Sequence, residues 1–551
     1  MLLRFVNILG PTVCAAGLLP LGAATQNQDL VDRLLDRIVA EEQKLIAELA
    51  QWQPVIETYI QESGEDGAKP APPVADHYLL GKLELSGGIE FVEIAASEVF
   101  ERRGNFLFIE RGSLELNPAG FAQMIVPDFH EFNRQTYELE YVEREFLGEV
   151  RCLVFNVTPR DSKARGKFIG RIWVEDQGYQ IVRLNGTYTR KKGPWEFFHF
   201  DSWRTNVEGG RWLPAFIYVE DDRTRRGDKQ ELRLRAQTRL WGYNHARPNR
   251  LDELVSILVD AENPVSDDAA PQALSPEESQ RVWRRQAEEN VLRRLEETGL
   301  LAPAGEVDEV LNTVVNNLMV TNGIDLEVRC RVLLTTPLET FSIGQAIVIS
   351  RGLLDVLPDE ASLAMALAGE LAHIALGHRT ETMFAFSDQT MFADNEILGR
   401  LRVVRTDDEL REAGVKASEM LAKSPYGAKL QATAGFLDEL SLRAPTLKNL
   451  ISANLGNPLA AAGKSRAAGM ARGEGSVPDG SPSNAAALPL GSRVEVDPWS
   501  NRIRLAKTKP VSGTLPKEPL AFQVSPFRIE LTRAAPSKPG NSPPEGSLPA
   551  Q

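Results

Sequence analysis

Between residues 77 and 245 apolar side chains recur at every second position, and beyond residue 275 they recur every third or fourth. One chain must therefore house both a sheet and a largely helical body. Tyr137, Leu139 and Tyr141 alternate with Glu138 and Glu140. Leu153, Phe155 and Val157 follow the turn at Leu147-Gly148-Glu149, and Phe168, Gly170, Ile172 and Val174 run into Asp176-Gln177-Gly178. Val182 and Leu184 continue the pattern, and Leu232, Leu234 and Ala236 oppose Arg233, Arg235 and Gln237. Successive short strands with turn residues between them predict an antiparallel meander with one covered face.

The flanking segments complete an α+β organisation. Residues 28–62 read as an amphipathic helix or helical pair carrying Val31, Leu34, Leu35, Ile38, Leu45, Ile46 and Leu49, with a break expected at Pro54. A linker from Ser63 to Asp76 leads to the sheet domain, 77–245. After a polar linker, Ser275-Pro276-Glu277-Glu278 has capping-box spacing and opens a second domain, 275–450. Its expected parts are helices near 276–298 and 306–319, strands at 328–334 and 346–350, a helix opened by Pro358-Asp359-Glu360 and closed by Gly377, and helices over 406–423 and 427–443. From 456 to 551 Gly, Ala, Ser and Pro dominate, which predicts a mostly disordered tail with a short ordered piece near 493–505.

Residues 1–25 have the parts of a secretory signal: Arg4, an apolar stretch from Ile8 to Leu21, then Gly22, Ala23 and Ala24. Export to the periplasm or medium is the expectation, with no membrane span after the signal. Val13 before Cys14 is a poor fit to a lipid anchor. Cys152 and Cys330 fall in different domains and read as two buried thiols. A formal charge of -14 argues against nucleic acid, whose phosphates demand a dense basic patch.

Chemistry concentrates at Gly369-Glu370-Leu371-Ala372-His373. In H-E-x-x-H on a helix, two imidazoles one turn apart reach a zinc ion, and the Glu serves as general base toward zinc-bound water. Glu370 and His373 are present, whereas Gly369 stands where the first imidazole belongs. His373 reads equally as a satisfied core histidine. Glu370, in an otherwise apolar helix, needs a partner, whether metal, backbone donors or His373. His378, five residues after His373, is expected to point away from the ligand face. His77, His130, His199 and His245 show no metal-ligand spacing.

The run Ser350-Arg351-Gly352-Leu353-Leu354, then Pro358-Asp359-Glu360, then Gly369 to His378, resembles the catalytic helix and preceding strand of the HtpX- and BepA-like gluzincins, metallopeptidase family forty-eight. The resemblance covers roughly residues 305–450. It implies a following E-A-D element, and Glu412-Ala413-Gly414 sits where that belongs. By resemblance Glu370 is the general base and His373 and Glu412 are zinc ligands, while Gly369 and Gly414 replace a ligand and its supporting Asp. Glu412 among Asp407, Asp408, Glu409 and Glu419 also reads as one more solvated acid. The order and pattern of the meander are similar to LolA-like half-barrels that carry lipids and lipoproteins.

Together these imply an exported member of a zinc metalloendopeptidase family, inactive or impaired, acting on envelope proteins by binding polypeptide. The alternatives are an active zinc endopeptidase with an atypical ligand set, and a lipid or lipoprotein carrier built on the sheet.

Overall fold

The computed structural model describes residues 21–63, 72–94, 100–103, 106–109, 118–189, 198–226, 230–244, 275–378, 403, 405–452, 455–461, 464–465, 487–491, 493–506 and 521–534. The fold is α+β. Helix α1 (Leu21–Leu49) buries Leu35, Ile38, Val39, Glu42, Leu45 and Leu49, the stripe its sequence spacing dictates. The helix expected to run to 62 stops there. Pro54 cannot donate to a helix, and the β-branched, alternating run that follows forms strand β1 (Val55–Ser63). Most of the expected signal, residues 1–20, and His245 lie outside the described residues.

Strand β1 is the third strand from one edge of a ten-stranded, wholly antiparallel sheet. On one side it pairs with β2 (Pro73–Glu84), which pairs with β3 (Glu90–Glu93). A separate hairpin comprises β4 (Phe100–Arg103) and β5 (Phe106–Ile109), and α2 (Pro118–Gln123) follows. The meander then runs through β6 (Tyr137–Leu147), β7 (Val150–Pro159), β8 (Phe168–Glu175), β9 (Ile181–Tyr188), β10 (Phe200–Asn206), β11 (Trp212–Arg226) and β12 (Gln230–Trp241). Strand β12 returns beside β1, with Val55 opposite Trp241.

Both faces of β1 are buried, because each face of the sheet packs on a different layer. Ile56 and Ile60 join Phe168, Leu184 and Ile217 against α1. Within that layer Arg204 forks onto Glu42 at 2.6 and 2.7 Å and donates to the carbonyl of Ile181. Val55, Tyr59, Trp203 and Trp241 face the helical half.

That half begins with α3 (Pro276–Glu297), whose capping box at Ser275 and Glu278 forms as expected, and α4 (Glu306–Asn322). A small sheet has the order β13-β15-β14-β16, from β13 (Arg329–Leu333), β14 (Glu339–Ile343), β15 (Ala346–Ser350) and β16 (Asn457–Pro458). Helices α5 (Arg351–Val356), α6 (Glu360–Ala375), α7 (Asp407–Lys423), α8 (Leu430–Arg443) and α9 (Lys448–Ile451) complete the body. No helix among the described residues is long and apolar enough to cross a membrane.

The two halves are joined by buried polar contacts. Glu57 of β1 accepts from the Arg351 guanidinium at 2.7 Å, the Thr336 hydroxyl at 2.7 Å and Tyr78 at 2.9 Å. Asp76 accepts backbone N–H groups of Asn449 and Leu450 at 3.0 and 2.8 Å, at the start of α9. Trp241 donates to the carbonyl of Gly299 at 2.6 Å.

The anticipated strand pair appears as Val494–Val496 with Ile503–Leu505. In addition, residues 455–461, 487–491 and 521–534 pack on the body, burying Leu455, Leu490, Phe522 and Val524. Gln61 ties down two of these positions, donating to the carbonyl of Phe522 and accepting from the amide of Val524. Leu455, Leu490, Phe522 and Val524 belong to the core cluster shared with the helical half.

Candidate active site of a peptidase-type domain

Helix α6 is apolar on nearly every side, as a helix sunk in a core must be. Asp359 caps its start by accepting the Ser362 amide at 2.8 Å. Two polar side chains sit inside this apolar cylinder, Glu370 at 3% exposure and His373 at 1%. Such groups persist only with partners.

One partner of Glu370 comes from a neighbouring strand. Glu370 accepts a 3.0 Å hydrogen bond from the Thr340 hydroxyl on β14. Arg405, buried just before α7, feels the charge of Glu370: burial holds its pKa below the ordinary value, and the charges of Glu370 and then Glu409 offset part of that. Arg405 also donates to the Ser342 hydroxyl at 3.2 Å. Neither Thr340 nor Arg405 was singled out from the sequence. The hairpin residues Gly344 and Gln345, which join β14 to β15, were the available signal for a strand at Thr340.

His378 corrects a second expectation. Helix α6 ends in a left-handed Gly377 at φ 71°, and the His378 amide donates back to the His373 carbonyl at 3.0 Å. This Schellman reversal folds the chain over the helix end instead of continuing its spiral. The His378 ring consequently lies beside His373, with their Nδ1 atoms 2.9 Å apart. Its Nε2 is 3.5 Å from Glu412 on α7, whose side chain is 60% exposed. His378 thus stands between His373 and Glu412.

Gly369, Glu370 and His373 line a small cavity of about 30 Å³ with Ala413 and Gly414 of α7, Leu437 of α8 and Leu459. Both glycines that replace expected functional residues border this same space. A Cβ placed on Gly369 meets nothing within 4 Å.

Residues 309–427 match peptidase family M48. The match spans the described strands β13 to β15, α6 and α7, and supports a metallopeptidase-type domain over those residues. No curated protein matches the chain. Among solved structures, the LolA superfamily protein NE2245 from Nitrosomonas europaea is similar at 13% identity, over 38% of this chain and 91% of that one, with a TM-score of 0.22. A score that low carries no argument.

A catalytic zinc takes three protein ligands and one open position. Among the described residues of 309–427 these ligands are not assembled. Gly369 brings no donor atom. Nδ1 and Nε2 of the His378 ring point in different directions, one toward His373 and the other toward Glu412, so these three residues form a chain and not a cage. Among the described residues no group of three or more His, Cys, Asp and Glu side chains is arranged to hold a metal ion. Glu370 is meanwhile satisfied by Thr340. The described residues do not fit the zinc of that family.

Proposed function

We propose that this is an exported protein whose M48 domain holds extended polypeptide without hydrolysing it. The observation that carries the reading is Gly369, which leaves the ligand face of α6 without its first imidazole while its neighbours have found protein partners. Loss of even a supporting group around a bound metal typically costs about 10- to 100-fold in affinity or activity, and here a ligand position itself is empty of a side chain. The domain keeps what polypeptide binding needs: a small sheet beside the helix and an apolar cavity bordered by Leu410, Leu437 and Leu459. Export rests on the character of residues 1–25 and is in keeping with Cys152 and Cys330, both free and buried, so no disulfide is required.

An atypical zinc endopeptidase is the second reading, favoured by the reversal at Gly377 that brings a second imidazole next to His373. It lacks a geometry in which one ion touches His373, His378 and Glu412 together. A lipid carrier built on the sheet is disfavoured because α1 packs its apolar stripe against the face that a lipid would need.

The test is a casein-type cleavage assay on the purified full chain beside a Gly369→His variant. No cleavage by the unmodified chain is expected. Cleavage at a rate that a chelator abolishes would overturn the proposal and favour the atypical peptidase.

A further inference from the structure

The segment that follows α9 turns back across the front of the site. Asn457 and Pro458 form β16, antiparallel to β14, with Asn457 opposite Thr340 and Pro458 opposite Glu339. The Glu339 carboxylate accepts the amides of Leu455 and Gly456 at 2.9 and 3.3 Å. The Leu455 carbonyl accepts from Val403 at 2.6 Å. Leu455 is buried, and Leu459 enters the cavity bordered by Gly369, Glu370 and His373. Gly456 fits because its backbone lies flat on β14: a Cβ there would stand 2.6 Å from the Thr340 carbonyl and 2.9 Å from Phe341 Cβ.

Strand β14 is the strand whose Thr340 holds Glu370. It would otherwise be the outer edge of the small sheet, since β15 takes its other side. An exposed edge beside a pocket is the usual seat for an added strand, with main-chain hydrogen bonds giving affinity and alternate side chains giving specificity. Here the chain itself fills that seat, but thinly. Only two residues pair, and Pro458 has no N–H to give.

We propose that residues 455–459 are a resident self-ligand, and that the M48 domain takes up an extended polypeptide by exchanging it for this segment on β14. The proposal rests on the polypeptide-binding reading above and adds its ligand class and its control. The incoming chain runs antiparallel to β14, presents a small residue opposite Phe341, and places an aliphatic side chain three positions later in the cavity that Leu459 fills. A chain without proline pairs along more of β14 than β16 does, which lets it compete against a tethered segment whose effective concentration is in the millimolar range.

The experiment measures binding to the full chain by fluorescence anisotropy with two probes. One is a labelled peptide of residues 453–461, and the other is reduced, carboxymethylated lactalbumin, which stays unfolded. Proteins compared are the unmodified chain, Gly456→Ala, which pushes the segment off β14, and Leu459→Ala, which removes the side chain the segment lodges in the cavity. Circular dichroism and melting confirm folding. Both probes are expected to bind Gly456→Ala at least about tenfold more tightly than the unmodified chain, with Leu459→Ala between them, because a competent state hidden by the segment becomes populated. If Gly456→Ala does not fold, a gain in Leu459→Ala supports the exchange and no gain overturns it. Lactalbumin binding all three proteins equally overturns the self-ligand alone. No binding of either probe to any protein overturns the polypeptide-binding reading along with it.

Discussion

The Thr340 hydroxyl donates to Glu370 Oε1 at 3.0 Å, joining the strand that carries the tail segment to the buried carboxylate of α6. Both residues are almost wholly buried, Thr340 at 1% and Glu370 at 3% exposure. The hydroxyl gives the buried carboxylate a hydrogen-bond partner from a neighbouring strand.

Thr340→Val is therefore expected to destabilise the chain by about 1–3 kcal/mol, the cost of a buried acceptor left without its donor. Urea denaturation measures it. Thr340→Ser, which keeps the hydroxyl, is expected to cost less. Equal stability of Thr340→Val and the unmodified chain would show that Glu370 does not depend on this bond.

The junction between the two halves makes a larger demand. Arg351, Glu57 and Asp355 are each about 1% exposed, with Arg351 bonded to both carboxylates. Arg351→Met leaves Glu57 and Asp355 short of positive charge in the interior and is expected to cost about 3–5 kcal/mol. Adding Glu57→Gln is expected to recover part of that loss, read from the shift of the denaturation midpoint in a double-mutant cycle.

Asp128 gives an acid limb to stability. Burial pushes its pKa up, but the Lys167 ammonium at 2.7 Å, the amides of His130 and Glu131, and the Tyr137 hydroxyl outweigh it, so the carboxyl sits below its ordinary value. A depressed folded-state pKa contributes stability that is complete above the unfolded value and is lost as pH falls through the folded one. Asp128→Asn is expected to lower stability at neutral pH and to flatten the fall below about pH 4. Denaturation midpoints across pH 2–7 check it, and an unchanged slope would contradict the assignment.

Gly377 sets where His378 goes. Any other residue at φ 71° carries a penalty of about 1–2 kcal/mol, so Gly377→Ala is expected to lower the melting temperature and release the His373–His378 contact. Changed histidine ring chemical shifts for both residues in NMR spectra are the readout. Shifts that stay in place would mean that the reversal does not depend on glycine.

The meander and the apolar helix were legible because their periods of two and 3.6 persist over many turns. The helix run to 62 failed at Val55, where helix and strand residues adjoin across Pro54 and only a partner strand, β12, decides. Glu370 and His373 were legible as buried groups in need of partners, since polar residues inside an apolar helix announce themselves. What surrounds them was not: Thr340, which bonds Glu370, and Leu459, which lines the same cavity, come from elsewhere in the chain and carry no local signal. His378 was misplaced because extrapolating the helix past Ala375 ignores the reversal that a left-handed glycine permits.

Zinc stoichiometry measured by elemental analysis on the purified unmodified chain, beside Gly369→His and the Gly369→His/Gly414→Asp pair, addresses the central claim most directly. The account predicts far less than one zinc per unmodified chain, with occupancy rising once the imidazole is restored, into space where a Cβ meets nothing within 4 Å. One tightly held zinc per unmodified chain, lost on His373→Ala, would contradict it.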